Sequence, residues 1–148
     1  MTAPTAASPA PLAAGDSPPF RVTYRDTDQM GVAYHGNYFA WFETGRTELL
    51  RSLGALSYRQ WEADEGVMLP VLDCSAEFKR PVRYDDLLVV TTQVTAASDA
   101  TVAFRYEVRR AGEPDVLAAG TTRHVFVNRS GRPVRAARRL MPFLFQRP

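Results

Sequence analysis

The sequence predicts an α+β domain, with one long helix packed against a five-stranded, largely antiparallel sheet. Three features predict it. One amphipathic stretch with helical spacing runs from Tyr38 to about Leu53, apolar–polar alternation marks five other segments, and turn residues separate the last three of those. With 148 residues, 45% hydrophobic and 23% charged, the chain suits a single domain with one core.

In chain order, residues 1–19 are rich in Ala and Pro and nearly lack large apolar side chains. Such a segment cannot bury enough surface to offset its ordering entropy, so a disordered tail is expected there, followed by one domain over 20–148. It has neither the positive start nor the apolar run of a secretory signal. Phe20 to Arg25 alternates, with Phe20, Val22 and Tyr24 on one face, and predicts a half-buried strand.

The helix follows. Tyr38, Phe42, Gly45, Leu49 and Leu53 recur at steps of three and four, while Glu43, Arg46, Thr47 and Arg51 take much of the remaining surface. Asn37 sits where an N-cap belongs and Gly54 where a C-terminal glycine belongs. Gly45 on the apolar face costs ~1 kcal/mol of helix propensity against alanine, which predicts a close approach to whatever the helix packs on. Residues 57–66 are polar and predict a short helix or loop.

The remainder is strand-like. Val71 to Lys79 alternates with Leu72, Cys74, Ala76 and Phe78 on one side, which places Cys74 in the core. Leu87 to Thr95 is rich in β-branched residues, Val102 to Arg109 alternates, and Val116 to Asn128 is a long strand in which Gly120 predicts a bulge or a close contact. Ser98-Asp99 and Gly112 to Asp115 read as hairpin turns, so these last strands form a meander. One helix covers one face and leaves the sheet edges open, which predicts pairing with a second copy.

Several function classes are excluded or disfavoured. A formal net charge of +2 is too weak to argue for nucleic acid, no apolar run approaches the ~20 residues of a membrane span, and no Gly-x-Ser-x-Gly elbow exists. One cysteine permits no internal disulfide, and the two histidines, His35 and His124, form no metal pair, so neither metal nor other cofactor is expected. Nothing calls for an oxidising compartment, which makes the cytoplasm the expected location.

The chemistry concentrates in "DTDQMGVAYH", residues 26–35, between the first strand and the helix. A helix start presents unpaired backbone N–H groups and partial positive charge. Gly31 lets another group approach the loop backbone, with the Asp28 carboxylate beside that opening. Such N–H donors stabilise an oxyanion on an acyl carbonyl, while a carboxylate attacks it or activates water. Either aspartate could instead cap the turn, and the residues alone leave both readings open.

The pattern R-V-x4-T-D-x2-G-V-x2-H-x2-Y, Arg21 to Tyr38, resembles the signature of the 4-hydroxybenzoyl-CoA thioesterase family, acyl-CoA hydrolases of the hotdog fold. The continuation YFAWFETGRTELLRSLG resembles the central helix of the bacterial acyl-CoA thioesterase branch that includes the Tol–Pal-associated enzyme. The resemblance covers roughly residues 20–135 and departs at Ala33, where valine is frequent. It implies an acyl-CoA substrate, Asp28 as the catalytic carboxylate, and the backbone N–H at His35 as the group polarising the thioester carbonyl. It leaves a side-chain role for His35 open. Gly31, Tyr34, Gly36 and Asn37 then border the substrate, and Asp26 is a structural partner of the loop. A homodimer or homotetramer with acyl-CoA across the subunit interface is also implied.

Glu43 and Glu48 lie where another hotdog branch places a catalytic glutamate, but Asp28 already satisfies the motif, so both read as helix-surface or interface residues. His124 reads as a packed or interface histidine. Of the arginines at 129, 132, 135, 138 and 139, Arg129 and Arg132 are assigned to the CoA phosphates and the rest to a solvated edge. Two other functions on the same fold compete with this reading: enoyl-CoA hydration, disfavoured because Asp28 and His35 are seven apart, and non-catalytic acyl-CoA binding.

Overall fold

The computed structural model describes residues 9–55 and 57–146. Its elements begin with β1 (Ala13–Asp16) and β2 (Phe20–Arg21), a 3-10 turn over Tyr24–Asp26, α1 (Asn37–Ser52) and α2 (Tyr58–Glu65). Then come β3 (Val67–Met68), β4 (Val71–Phe78), β5 (Leu87–Ala97), β6 (Thr101–Arg110), β7 (Val116–Val125), β8 (Val127–Asn128) and α3 (Ala137–Leu140). The main sheet has the order β1-β5-β6-β7-β4, antiparallel throughout, and β2 pairs with the same strand as β1. Asp16 lies opposite Thr91 and Phe20 opposite Leu88, so β1 and β2 are one edge strand broken at Ser17-Pro18-Pro19. Six strands thus fill the five expected positions.

β1 corrects the expectation of a disordered segment reaching to residue 19; residues 1–8 lie outside the described residues. The composition argument asked whether the segment could bury side chains. Its order comes instead from main-chain hydrogen bonds to an edge that would otherwise be open, since the exposed edge of β5 is a ready template. Ser17 closes the join: its N–H donates to the Val90 carbonyl at 2.8 Å, and its Oγ accepts from the Val90 N–H at 3.0 Å.

The first predicted strand stops at Arg21 rather than Arg25. The Asp26 carboxylate accepts from the Thr23 N–H at 2.8 Å and from its hydroxyl at 2.9 Å, which turns the chain into the 3-10 turn and leaves Tyr24 outside.

Helix α1 begins at Asn37, the predicted cap, so the capping position falls one residue earlier, at Gly36. It lies across β5, β6 and β7, and its Phe42 ring stacks on Tyr106 at 4.5 Å. Gly45 faces the sheet: a Cβ there would stand 2.4 Å from Thr92 Oγ1 and 2.7 Å from Val90 Cγ1. Gly120 on β7 makes the reciprocal allowance, since its Cβ would meet the Phe42 ring at 2.4 Å. Arg46, expected on the surface, is only 7% exposed, and its Nε donates to the Tyr58 hydroxyl at 3.3 Å. That contact ties α1 to α2, which opens with a Ser57–Gln60 capping box.

Strand β4 is exposed along nearly its whole length, and with it Cys74, which corrects the placement of that thiol in the core. The alternation holds, but β4 lies at the sheet edge, where α1 reaches its Phe78 end through Tyr38 and leaves most of the strand uncovered. Leu72 and Phe78 are therefore exposed as well. Among the described residues, no helix is long and apolar enough to cross a membrane, and no cluster of three or more His, Cys, Asp or Glu side chains is placed to hold a metal ion.

Candidate active site

The segment from Thr27 to Ala33 is a tight loop closed by a bridge between those two residues. The Asp28 N–H donates to the Val32 carbonyl at 2.9 Å and the Asp28 carbonyl accepts from the Gly31 N–H at 3.0 Å. Gly31 takes a φ of 79°, and nothing lies within 4 Å of where its Cβ would be. One oxygen of the half-buried Asp28 carboxylate accepts from the Met30 N–H at 2.9 Å, an Asx turn that fixes the side chain and leaves the other oxygen without a partner among the described residues.

The loop is anchored at its far side. The Ala33 N–H donates to the Val82 carbonyl at 2.7 Å. The Asp26 carbonyl accepts from both the Tyr34 N–H, at 2.8 Å, and Asn37 Nδ2, at 2.6 Å. The Asn37 side chain is thus spent on bracing the loop. Between these anchors, the N–H groups of His35 and Gly36 have no acceptor among the described residues, as expected of a helix start. The Tyr34 ring lies 4.3 Å from the His35 ring and sits against Gly36, where a Cβ would meet it at 2.7 Å.

A cleft of about 310 Å³ opens here, lined by Asp28, His35 and Tyr38 on one side and by Phe78, Lys79 and Arg80 on the other. Tyr38 forms its apolar floor, edge-on to Phe78 at 4.9 Å and to Trp41 at 4.8 Å. Burial, and then the Asp86 carboxylate, push the Tyr38 phenol above its ordinary value, so it stays neutral at physiological pH. A carboxylate, two free N–H donors and an apolar floor suit the binding and polarisation of an acyl carbonyl.

The structure does not bring Arg129 and Arg132 to this cleft within one chain. They follow β8, at the Val71 end of β4, whereas the cleft lies at the Phe78 end. Arg129 instead donates to the Glu62 carbonyl at 3.0 Å, at the end of α2. Arg138 and Arg139 pair with Asp99 and Glu65. The cations that line the cleft are Lys79 and Arg80, which lie outside the sequence motif. Their signal was a basic pair and a proline, Lys79-Arg80-Pro81, directly after an apolar strand.

Glu43 is exposed on α1, and Glu48 pairs with Arg51. His124 is fully buried, with Nε2 2.8 Å from Thr122 Oγ1 and Nδ1 3.3 Å from the Leu69 carbonyl. Burial, and then the nearby Arg46 guanidinium, lower its pKa to about 4.

The profile of the Thioesterase superfamily matches residues 30–117. The chain is 38% identical to a putative acyl-CoA thioesterase of Bacillus subtilis, YneP, over 109 residues, 73% of this chain and 76% of that protein. The fold matches a DHNA-CoA thioesterase from Staphylococcus aureus with a TM-score of 0.77 and 30% identity, covering 86% of this chain and 84% of that one. It also matches 4-hydroxybenzoyl-CoA thioesterase from Pseudomonas sp. strain CBS-3 with a TM-score of 0.78, over 88% and 99% of the two chains. That identity is 20%, so the second likeness bears on the fold alone.

Proposed function

The chain belongs to the Thioesterase superfamily, with the hotdog arrangement of one helix on an antiparallel sheet, and from that membership we propose that it hydrolyses acyl-CoA to the free acid and CoA at the Asp28 cleft. The observation that carries the site assignment is that Asp28, with one carboxylate oxygen unpartnered, lines the same cleft as His35, where α1 presents free N–H groups.

In this proposal the thioester carbonyl oxygen faces the N–H groups of His35 and Gly36, which stabilise the negative charge it gains. Asp28 then acts in one of two ways. As a nucleophile it attacks the carbonyl carbon, the C–S bond breaks, CoA leaves as its thiolate, and water hydrolyses the resulting mixed anhydride. As a general base it takes a proton from a water that attacks the same carbon, and the same C–S bond breaks. The Tyr34 ring shapes the loop, and the Gly31 backbone leaves room for the substrate.

The acyl site is completed by a second copy of the chain. The free edge of β4, with Leu72 and Cys74 exposed along it and Phe78 exposed at the cleft, suits antiparallel pairing with its own copy. Such pairing sets the Phe78 end of one strand beside the Val71 end of the other. The partner subunit's Arg129 and the partner subunit's Arg132 then approach the cleft mouth, where Lys79 and Arg80 already favour the CoA phosphates. The same proposal places the enzyme in a reducing cytoplasm, where the exposed Cys74 thiol stays unoxidised.

Asp28→Asn tests the assignment. The amide keeps the size and removes the charge, so kcat in a thiol-release assay should fall by ~10³ or more with the fold intact. Retention of more than about a tenth of wild-type activity removes Asp28 from the mechanism. Rapid quenching of a single turnover separates the two routes, since only the nucleophilic one passes through an acyl-Asp28 anhydride that holds the acyl group on the protein after CoA has left.

A further inference from the structure

We propose that the stacked rings of Tyr24 and Tyr84 are the docking platform for the adenine of CoA, with Arg25 and Arg83 beside it for the 3′-phosphate. The inference rests on the acyl-CoA reading above. The two rings lie 3.9 Å apart at 3°, the closest aromatic pair among the described residues. Both are open to solvent, Tyr24 at 74% and Tyr84 at 46%. Two electron-rich rings laid nearly face to face set like-signed quadrupole faces together, whereas aromatic pairs favour offset or edge-on contacts at ~4.5–7 Å. The outer face of either ring is open to a purine, which extends the stack, or to a guanidinium, which the ring face attracts.

The pair stands beside the cleft and is held there by backbone. Tyr24 belongs to the 3-10 turn whose last residue, Asp26, carries the carbonyl that anchors the catalytic loop. Tyr84 lies two residues beyond Val82, whose carbonyl receives the Ala33 N–H at the foot of that loop. The next residue, Asp85, is the one non-glycine with positive φ among the described residues, at 70°. It is fixed by its N–H to the Val22 carbonyl at 2.9 Å and by Arg21 to its own carbonyl at 2.7 Å. A strained turn held from two sides keeps Tyr84 against Tyr24 rather than folded inward.

The surrounding charge selects the ligand. Arg25, Lys79 and Arg83 make no ion pair among the described residues, and Arg80 pairs only with the exposed Asp115. Asp86 is engaged by Arg110 and the Asp26 carboxylate by the Thr23 N–H and hydroxyl, which leaves Asp85 as the unengaged acidic side chain next to the platform. An excess of free cations around an exposed aromatic face fits a purine nucleotide bearing several phosphates better than an apolar peptide. The pantetheine arm then leads from this rim, past Lys79 and Arg80, to the thioester at Asp28.

The test compares an acyl-CoA with the matching acyl-pantetheine, which lacks the nucleotide, in the wild type, Tyr24→Leu, Tyr84→Leu and Tyr84→Phe. Leucine keeps apolar bulk without a π face, and phenylalanine keeps the face. Each leucine variant should raise KM for acyl-CoA about tenfold, equal to about 1.4 kcal/mol, with kcat unchanged. KM for acyl-pantetheine should stay within about twofold, and Tyr84→Phe should match the wild type on both substrates. Adenosine 3′,5′-bisphosphate should compete with acyl-CoA, and the leucine variants should bind it about tenfold more weakly in calorimetry; 5′-ADP, without the 3′-phosphate, should bind more weakly to the wild type. Equal losses on both substrates, or an unchanged KM for acyl-CoA, overturn the platform. If the wild type cleaves neither substrate, the thioesterase reading fails instead. The bisphosphate titration then still decides the platform, which stands if the leucine variants lose affinity and falls if they do not.

Discussion

Asn37 Nδ2 donates to the Asp26 carbonyl at 2.6 Å, so the first residue of α1 is tied to the loop that carries Asp28. The catalytic carboxylate of the proposal and the N–H groups at the helix start are thereby held as one unit. Asn37→Leu removes the donor and leaves the Asp26 carbonyl with the Tyr34 N–H alone. Loss of one such bond should lower stability by about 1 kcal/mol. The larger effect should be on kcat, because the two halves of the site lose their register, with KM changed little. A proportionate fall in stability and activity, read by urea titration and steady-state kinetics, would make Asn37 merely structural.

Gly45→Ala sets two effects against each other. Alanine gains ~1 kcal/mol of helix propensity. Its Cβ, however, would stand 2.4 Å from Thr92 Oγ1 and 2.7 Å from Val90 Cγ1, both in the buried centre of β5. Overpacking of this kind costs about 1–3 kcal/mol, so the net should be destabilising. A lower urea midpoint with unchanged slope is the expected result.

His124 should make the protein acid-sensitive. Its pKa falls from 6.5 to about 4 on folding, because it is buried and because Arg46 lies near. Between those two values the unfolded chain binds the proton and the folded one does not, so stability declines as pH falls through that window and levels off below it. The slope approaches about 1.4 kcal/mol per pH unit. His124→Gln, which keeps a polar partner for Thr122, should flatten the stability–pH profile between pH about 6.5 and 4. An unaltered profile in urea titrations at several pH values would assign the acid sensitivity to other groups.

Much of this arrangement was legible in the sequence because it follows from local chemistry. Helical spacing located α1, Gly45 announced its close approach to the sheet, and turn residues separated β5, β6 and β7. The loop around Asp28 was legible because its motif is contiguous. What escaped depended on neighbours remote in the chain. The order of β1 comes from an edge of β5 more than seventy residues away, so the composition of residues 13–16 carries no sign of it. Arg46 follows the polar face of its helix and is buried because α2 folds over it. Cys74 lies in an alternating strand, at a point that nothing among the described residues covers. Arg129 and Arg132 were assigned by charge alone, and charge does not say which end of a strand a residue occupies.

Removal of residues 1–16 should destabilise the protein, against the simple expectation for a tail. It strips β1 from β5 and exposes the Leu49 side chain, which lies 3.1 Å from where a Cβ on Gly15 would stand. The fold should survive, because β2 still pairs with β5 and α1 still covers the sheet. The newly open edge should favour aggregation on storage, seen as a concentration-dependent rise in scattered light. A truncated chain with the stability and solubility of the full one would show that β1 contributes nothing.

The edge at β4 offers the sharpest test of the two-subunit site. Leu72 and Phe78 are exposed on a strand whose outer backbone groups have no partner among the described residues, and Phe78 also lines the Asp28 cleft. Leu72→Lys places a charge on that face at the end of β4 away from Asp28, so it leaves the cleft residues of its own chain untouched. If antiparallel pairing of β4 completes the acyl site, the variant should be monomeric by light scattering. Its specific activity should then fall at least tenfold at dilute enzyme and recover as concentration rises, by mass action. Its urea-unfolding slope should match the wild type measured at equal association state, since the fold within one chain does not rest on the pairing. A monomeric Leu72→Lys enzyme with full activity at every concentration would mean that the cleft of a single chain is sufficient, and that Arg129 and Arg132 have no route to the substrate.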